Sequence, residues 1–124
     1  MNYQDIEQEL NHLAETPGII ACALVAIDTG MIYLTSSNKE QFDIIAEGAR
    51  DYWALHQKNG NVFETLGTVS NIVVRHQHGL LSIRDCGQTM LLISMSKIKQ
   101  VDWKQWSAQV NQLCHLVKKL EAEK

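Results

Sequence analysis

The sequence predicts an α+β domain in which a five-stranded antiparallel sheet carries helices on both faces, in the order α-β-β-α-β-β-β-α. Three observations lead there. Two runs, Ile19 to Ile27 and Met90 to Ile93, are apolar without alternation, as expected of strands covered on both sides. Polar turns, Asp28-Thr29-Gly30, His76-Gln77-His78-Gly79 and Asp85-Cys86-Gly87, separate strand-like segments closely enough to make hairpins. Three further stretches repeat their apolar residues at helical spacing. With 124 residues, one domain with a single real core is expected.

The first stretch runs from Tyr3 to Glu15. Tyr3, Ile6, Leu10 and Leu13 form a narrow stripe suited to one supporting surface. Thr16-Pro17-Gly18 stops it, because proline disfavours helix in the residue before it and glycine turns freely. Ile19 to Asp28 is then a central strand, and Gly30 suits a positive φ in the turn that follows. Met31 to Thr35 returns as the second arm of a hairpin and fades into Ser36-Ser37-Asn38, which suits an edge.

Ser37 to Asn59 reads as one long helix. Ser37 with Glu40 three residues on is a capping-box pattern, and Asn59-Gly60-Asn61 supplies residues that tolerate a left-handed stop. Phe42, Ile44, Ile45, Ala46, Ala49, Tyr52, Trp53 and Leu55 fill an arc of roughly 200°, against about 100° for an ordinary surface helix. Gly48 lies inside that arc, in mid-helix, where it costs about 1 kcal/mol relative to alanine. A helix of this kind wants two partners, its own sheet and something else. One expected division sets Phe42, Ile45, Ala49 and Trp53 against the sheet, and Ile44, Gly48, Tyr52 and Leu55 against a second surface. Exposing the second set alone would leave an apolar patch of the sort that marks interfaces.

Three strand-like segments follow. The first spans about Val69 to His76, after a weaker Val62 to Leu66 approach. Leu80 to Arg84 has Leu81 and Ile83 on one face and Ser82 and Arg84 on the other. Gln88 to Met95 is the second central strand. The last helix begins at Asp102, which forms a capping box with Gln105, and Val101 is placed to staple against Trp106. Trp103, Trp106, Val110, Leu113, Val117 and Leu120 keep one seam, and Glu121 to Lys124 reads as a fraying polar tail.

The composition excludes several classes of function. The formal net charge is −3, which gives no electrostatic case for nucleic acid. No apolar run approaches the roughly 20 residues needed to span a bilayer, so membrane insertion is not expected. The polar, acidic opening Met1 to Asp5 lacks the basic and apolar regions of a signal peptide, and the cytoplasm is the expected location. Cys22, Cys86 and Cys114 are odd in number and scattered, and read as free, buried thiols.

Candidate chemistry is sparse. His76 and His78 share a face if extended, but no third ligand stands beside them, and a solvated turn is the simpler reading. Cys114 and His115 are adjacent on a helix and point apart. Asp28 and Asp85 are explained by turn geometry. The glycines are dispersed and form no phosphate loop. Arg50, Arg75 and Arg84 are the arginines that an arginine-finger role would need, and each reads as a surface charge. No nucleophile–base pair or ligand set emerges, so no enzyme, metal or cofactor is expected.

The stretch Leu10-Asn11-His12-Leu13, followed by Thr16-Pro17-Gly18-Ile19-Ile20-Ala21-Cys22-Ala23-Leu24-Val25-Ala26-Ile27-Asp28-Thr29-Gly30-Met31-Ile32, resembles the Roadblock or dynein light-chain type of family. That family has a short helix, then Gly-Val-x-Gly-Ala-x-Leu-Val, then an Asp-Gly turn. Ile44-Ile45-Ala46, Gly79-Leu80-Leu81 and Cys86-Gly87 also fit. The departures are Ala21 or Cys22 at a position where the family usually has a small residue, often glycine, and Lys99-Gln100-Val101-Asp102-Trp103 in place of an Asn-Leu-Gly-like opening of the last helix. The resemblance covers nearly the whole chain in layout and is motif-specific mainly over residues 10 to 32.

The resemblance implies a profilin-like fold and a homodimer. Two middle helices would pack together, here through Ile44, Gly48, Tyr52 and Leu55. The third strands would pair across a two-fold axis into a ten-stranded sheet, here through Val69, Ile72 and Val74. It further implies a non-enzymatic regulator or scaffold, with a small Ras-like GTPase of bacterial polarity, motility or signalling as partner. Two alternatives stand beside this: a PAS-like small-molecule sensor, for which the sequence identifies no pocket, and a structural interaction subunit with no GTPase partner.

Overall fold

A computed structural model describes residues 3–36 and 39–123. In chain order the elements are α1 (Tyr3–Ala14), β1 (Ile19–Ala26), β2 (Ile32–Thr35), α2 (Lys39–Lys58), a 3₁₀ turn (Glu64–Leu66), β3 (Asn71–Arg75), β4 (Leu80–Asp85), β5 (Met90–Ser96) and α3 (Trp103–Ala122). The five strands form one antiparallel sheet in the order β2-β1-β5-β4-β3. The two strongly apolar strands therefore lie side by side in the centre, with Cys22 opposite Ser94, Ala23 opposite Ile93 and Leu24 opposite Leu92. A bulge between Ile19 and Ala21 leaves Ile20 as an extra residue on β1.

The alternation of side chains across β1 makes two cores. On one face Cys22, Leu24 and Leu92 meet Ile6, Leu10 and Leu13 of α1 and Trp106, Val110, Leu113 and Val117 of α3. On the other, Ala21, Ala23, Val25, Leu91 and Ile93 meet Phe42, Ala46, Ala49 and Trp53 of α2. The small alanines of β1 leave room for Phe42 and Trp53. The two narrow-striped helices thus share a face, and the wide one has the other to itself.

The local signals act as sequence chemistry requires. Gly30 turns the β1–β2 hairpin at φ 75°, and the Thr29 hydroxyl accepts from Met31 N–H at 3.2 Å. The Asp102 side chain caps α3 by accepting from Gln105 N–H at 3.2 Å. Ser37, and with it the capping box expected with Glu40, lies outside the described residues. Among the described residues no helix is long and apolar enough to cross a membrane.

Three expectations need correction. Val62 to Leu66 is not an approaching strand. Residues 59 to 67 bond only to near neighbours, with Val62 N–H on Asn59 O, Phe63 N–H on Gly60 O and Leu66 N–H on Phe63 O, so successive turns replace extended chain. The third strand is also shorter than expected, and Val69 precedes it by two residues. Finally, Glu121 is no frayed tail. Its carboxylate accepts from the backbone N–H groups of Gln88 (2.9 Å) and Thr89 (2.8 Å) in the β4–β5 turn, and from the Thr89 hydroxyl, so α3 runs to Ala122.

Candidate interaction surface

The outer face of α2 is the largest unexplained feature of the fold. Phe42, Ala46, Ala49 and Trp53 are buried against the sheet, and Ile45 is half-buried beside them. On the opposite side Ile44 is 77% exposed, Leu55 60% exposed and Tyr52 substantially exposed. A Cβ built on Gly48 would meet nothing within 4 Å, so the glycine relieves no crowding within this chain. The helix therefore divides as its apolar arc suggests, with Ile44, Gly48, Tyr52 and Leu55 turned from the sheet. Three bulky apolar side chains left in water on one helix face form a patch of the kind that interfaces use.

The neighbouring feature is β3. It ends the sheet, and among the described residues nothing pairs with its outer edge. Its register places Ile72 opposite Ile83 and Val74 opposite Leu81, so both side chains lie on the α2 face, where they are half-buried. Val73 points to the other face and is exposed. Val69 packs on the α2-side core from the connection before the strand rather than from the strand itself.

Between these two features runs a groove the sequence reading missed. Its volume is about 600 Å³, and it is walled by Gly48 and Tyr52 of α2, Leu80 and Leu81 of β4, Met95 of β5, and the bulged Ile20 of β1. Its size falls in the range of ligand clefts. The groove exists because α2 leaves the Leu80 end of β4 and the Met95 end of β5 uncovered. No linear pattern shows this: Leu80, Leu81 and Met95 are ordinary strand residues, and Ile20 reaches the groove only through its bulge. His76 and His78 stand exposed in the β3–β4 turn at its rim, with His76 N–H on Gly79 O at 2.8 Å. Among the described residues no three His, Cys, Asp or Glu side chains gather as a metal site.

The arginines and thiols are placed less simply than the sequence suggests. Arg50 is not a free surface charge, since its guanidinium donates to the carbonyls of Ile27 and Asp28. Arg84 donates to Asn111 Oδ1 of α3, while Arg75 is exposed at the end of β3. All three cysteines are free and buried. Cys86 and Cys114 are not scattered in space: the β4–β5 turn and α3 bring their thiols close enough to influence each other, and the Cys114 thiol donates to the Asp85 carbonyl at 3.9 Å. The neighbouring Cys114 thiol, and burial, push the Cys86 thiol up; the neighbouring Cys86 thiol pulls Cys114 down. Burial pushes the Cys22 thiol up to about 11.

No protein-family model matches the sequence, and no curated protein matches it. Solved structures do match the fold. A Roadblock/LC7 domain from Streptomyces avermitilis superposes with a TM-score of 0.81 at 18% identity, covering 98% of this chain and 99% of that one. The gliding protein MglB from Thermus thermophilus gives 0.79 at 13% identity, over 98% and 92%. An MglB in a tetrameric arrangement gives 0.79 at 13% identity, over 98% and 90%. The chain has the Roadblock/LC7 fold over nearly its whole length.

Proposed function

We propose that this chain is a non-enzymatic regulator or scaffold that works as a homodimer and binds a small Ras-like GTPase in a bacterial polarity, motility or signalling system. The observation that carries this reading is the apolar face of α2, Ile44, Tyr52 and Leu55, lying beside the open edge of β3. In a two-fold dimer, α2 would meet α2 where Gly48 leaves room, and β3 would extend the sheet through Ile72 and Val74, with Val69 flanking. The likeness of fold to MglB proteins, one named for gliding and one tetrameric, supports the setting and the self-association. The dimer would act in the cytoplasm by shifting its partner's nucleotide state or location, and no residue of this chain is assigned a catalytic role.

Light scattering at micromolar concentration tests the dimer, with twice the 14.0 kDa chain mass expected. Leu55→Arg should give a folded monomer, because the native side chain is largely in water. A monomeric parent, or a dimeric Leu55→Arg, counts against the α2 interface. A pull-down from the source cell in the presence of GDP and of a non-hydrolysable GTP analogue tests the partner, and recovery of no GTPase in either state counts against it.

The groove beside Tyr52 favours a second reading, a small-molecule sensor. Native mass spectrometry of the purified protein separates the two, since a copurifying apolar ligand would support the sensor.

A further inference from the structure

Two apolar features on the α2 face have no evident use within the chain. The first is the groove between α2 and the ends of β4 and β5. The second is the connection from α2 to β3, where Val62 is 73% exposed and Leu66 81% exposed. That connection is held on the α2 side of the sheet, because Phe63 stacks on His56 with ring centroids 5.2 Å apart and Val69 packs into the α2-side core. The two features lie at opposite ends of β3. The connection enters the strand at Asn71, and the turn that rims the groove leaves it after Arg75.

Two-fold symmetry relates these ends. If β3 pairs with β3 of a second copy, an axis along the strands would place the two α2 helices on opposite faces. An axis perpendicular to the sheet makes the strands antiparallel and keeps both α2 helices on one face, where their apolar sides meet. Only the second choice covers Ile44, Tyr52 and Leu55. Antiparallel pairing then sets the Asn71 end of one strand beside the Arg75 end of the other. The exposed connection of each copy thus lies next to the groove of its partner, on the same face.

We infer that in the dimer proposed above, on which this inference rests, Val62 and Leu66 of each copy seat in the other copy's groove beside Ile20, Tyr52 and Leu80. The contact occurs twice, once at each end of the paired strands. Charge supports the match. The connection carries Glu64, and the strand end beside the partner's groove carries Arg75, both exposed. Opposite signs across the axis favour this register and disfavour a copy docked the other way. The groove is then an acceptor for a second chain rather than for a small molecule.

Cross-linking tests this on the full chain. Leu66→Cys and His78→Cys are made separately, co-expressed, and treated with a short bismaleimide. Both sites are exposed, and the three native thiols are buried and serve as background in the parent. A covalent dimer is expected from the co-expressed pair and not from either variant alone. In parallel, Leu66→Asp should raise the dimer dissociation constant at least tenfold with an unchanged circular dichroism spectrum. If light scattering shows a dimer but the pair does not cross-link and Leu66→Asp dissociates no more readily, the seating is wrong while the dimer stands. A monomeric parent overturns both. A small molecule found in the groove of the dimer by native mass spectrometry overturns the seating alone.

Discussion

Arg50 of α2 donates from Nε to the carbonyl oxygen of Ile27, 2.8 Å away, just past the end of β1. A second guanidinium nitrogen reaches the carbonyl of Asp28. The side chain also lies along the turn, since a Cβ on Gly30 would come within 3.1 Å of Arg50 Cδ. One residue therefore ties the wide helix to the first hairpin and satisfies two carbonyls that the sheet leaves over.

Arg50→Ala should lower unfolding stability by about 2 kcal/mol, the scale for hydrogen bonds that involve a charged group. Arg50→Lys should recover only part of the loss, because an ammonium cannot present the same planar fork. Urea denaturation of the three proteins measures both. Equal stability of all three would show that the latch contributes nothing.

Glu121→Ala should release the end of α3 from the β4–β5 turn, with a loss of about 1 kcal/mol, because the exposed Gln88 and Thr89 N–H groups then bond to water instead. Gly87→Ala should act at the same place from the other side. Gly87 has φ 90°, and an added Cβ would lie between Val117 and the Glu121 carboxylate. Faster hydrogen exchange at Gln88 and Thr89 in both variants is the readout, and unchanged protection would sink the assignment.

Gly48→Ala separates the helix from its interface. Nothing in the chain approaches this position, so alanine should raise the stability of the isolated chain by about 1 kcal/mol through helix propensity. If α2 packs closely on a second α2 there, the same methyl should weaken the dimer. Denaturation at low concentration and light scattering at high concentration should therefore move in opposite directions. Gains in both would place the closest helix contact elsewhere.

Thiol chemistry should be ordered. The Cys86 thiol beside it, with Arg84 and Lys118 nearby, favours the Cys114 thiolate and outweighs its burial. Cys86 and Cys22 are both held protonated, Cys22 up to about 11 by burial. As pH rises through the alkaline range, brief iodoacetamide treatment should label Cys114 first and the other two only on unfolding. Peptide mass spectrometry reads the order, and earlier labelling of Cys22 would refute it.

Much of this was legible in the linear chain because it depends on near neighbours. Periodicity located α1, α2 and α3, and unbroken apolar runs identified β1 and β5 as central. Gly30 and Asp102 act where turn and capping chemistry put them. The split of α2 into a Phe42–Ala49–Trp53 face and an Ile44–Tyr52–Leu55 face follows from a 100° step alone. The misreadings came where apolar residues serve no local element. Val62, Phe63 and Leu66 have strand-like composition, yet successive turns leave two of them largely in water. Glu121 has tail-like composition, yet it lies opposite two free N–H groups from a turn more than thirty residues away.

The sequence by itself determined the order of elements, the pairing of apolar strands at the centre of the sheet, and a middle helix with more apolar surface than one sheet can cover. These are consequences of side-chain type at fixed spacing. Only the tertiary structure decided that a groove opens beside Tyr52, that Cys86 meets Cys114, and that the connection carrying Leu66 lies at the opposite end of β3 from that groove. Each depends on where distant segments end up relative to one another. The groove is set by the direction in which α2 crosses the sheet and by the bulge at Ile20, and the thiol pair by how α3 packs on the opposite face; none of these has a signature in a stretch of neighbouring residues.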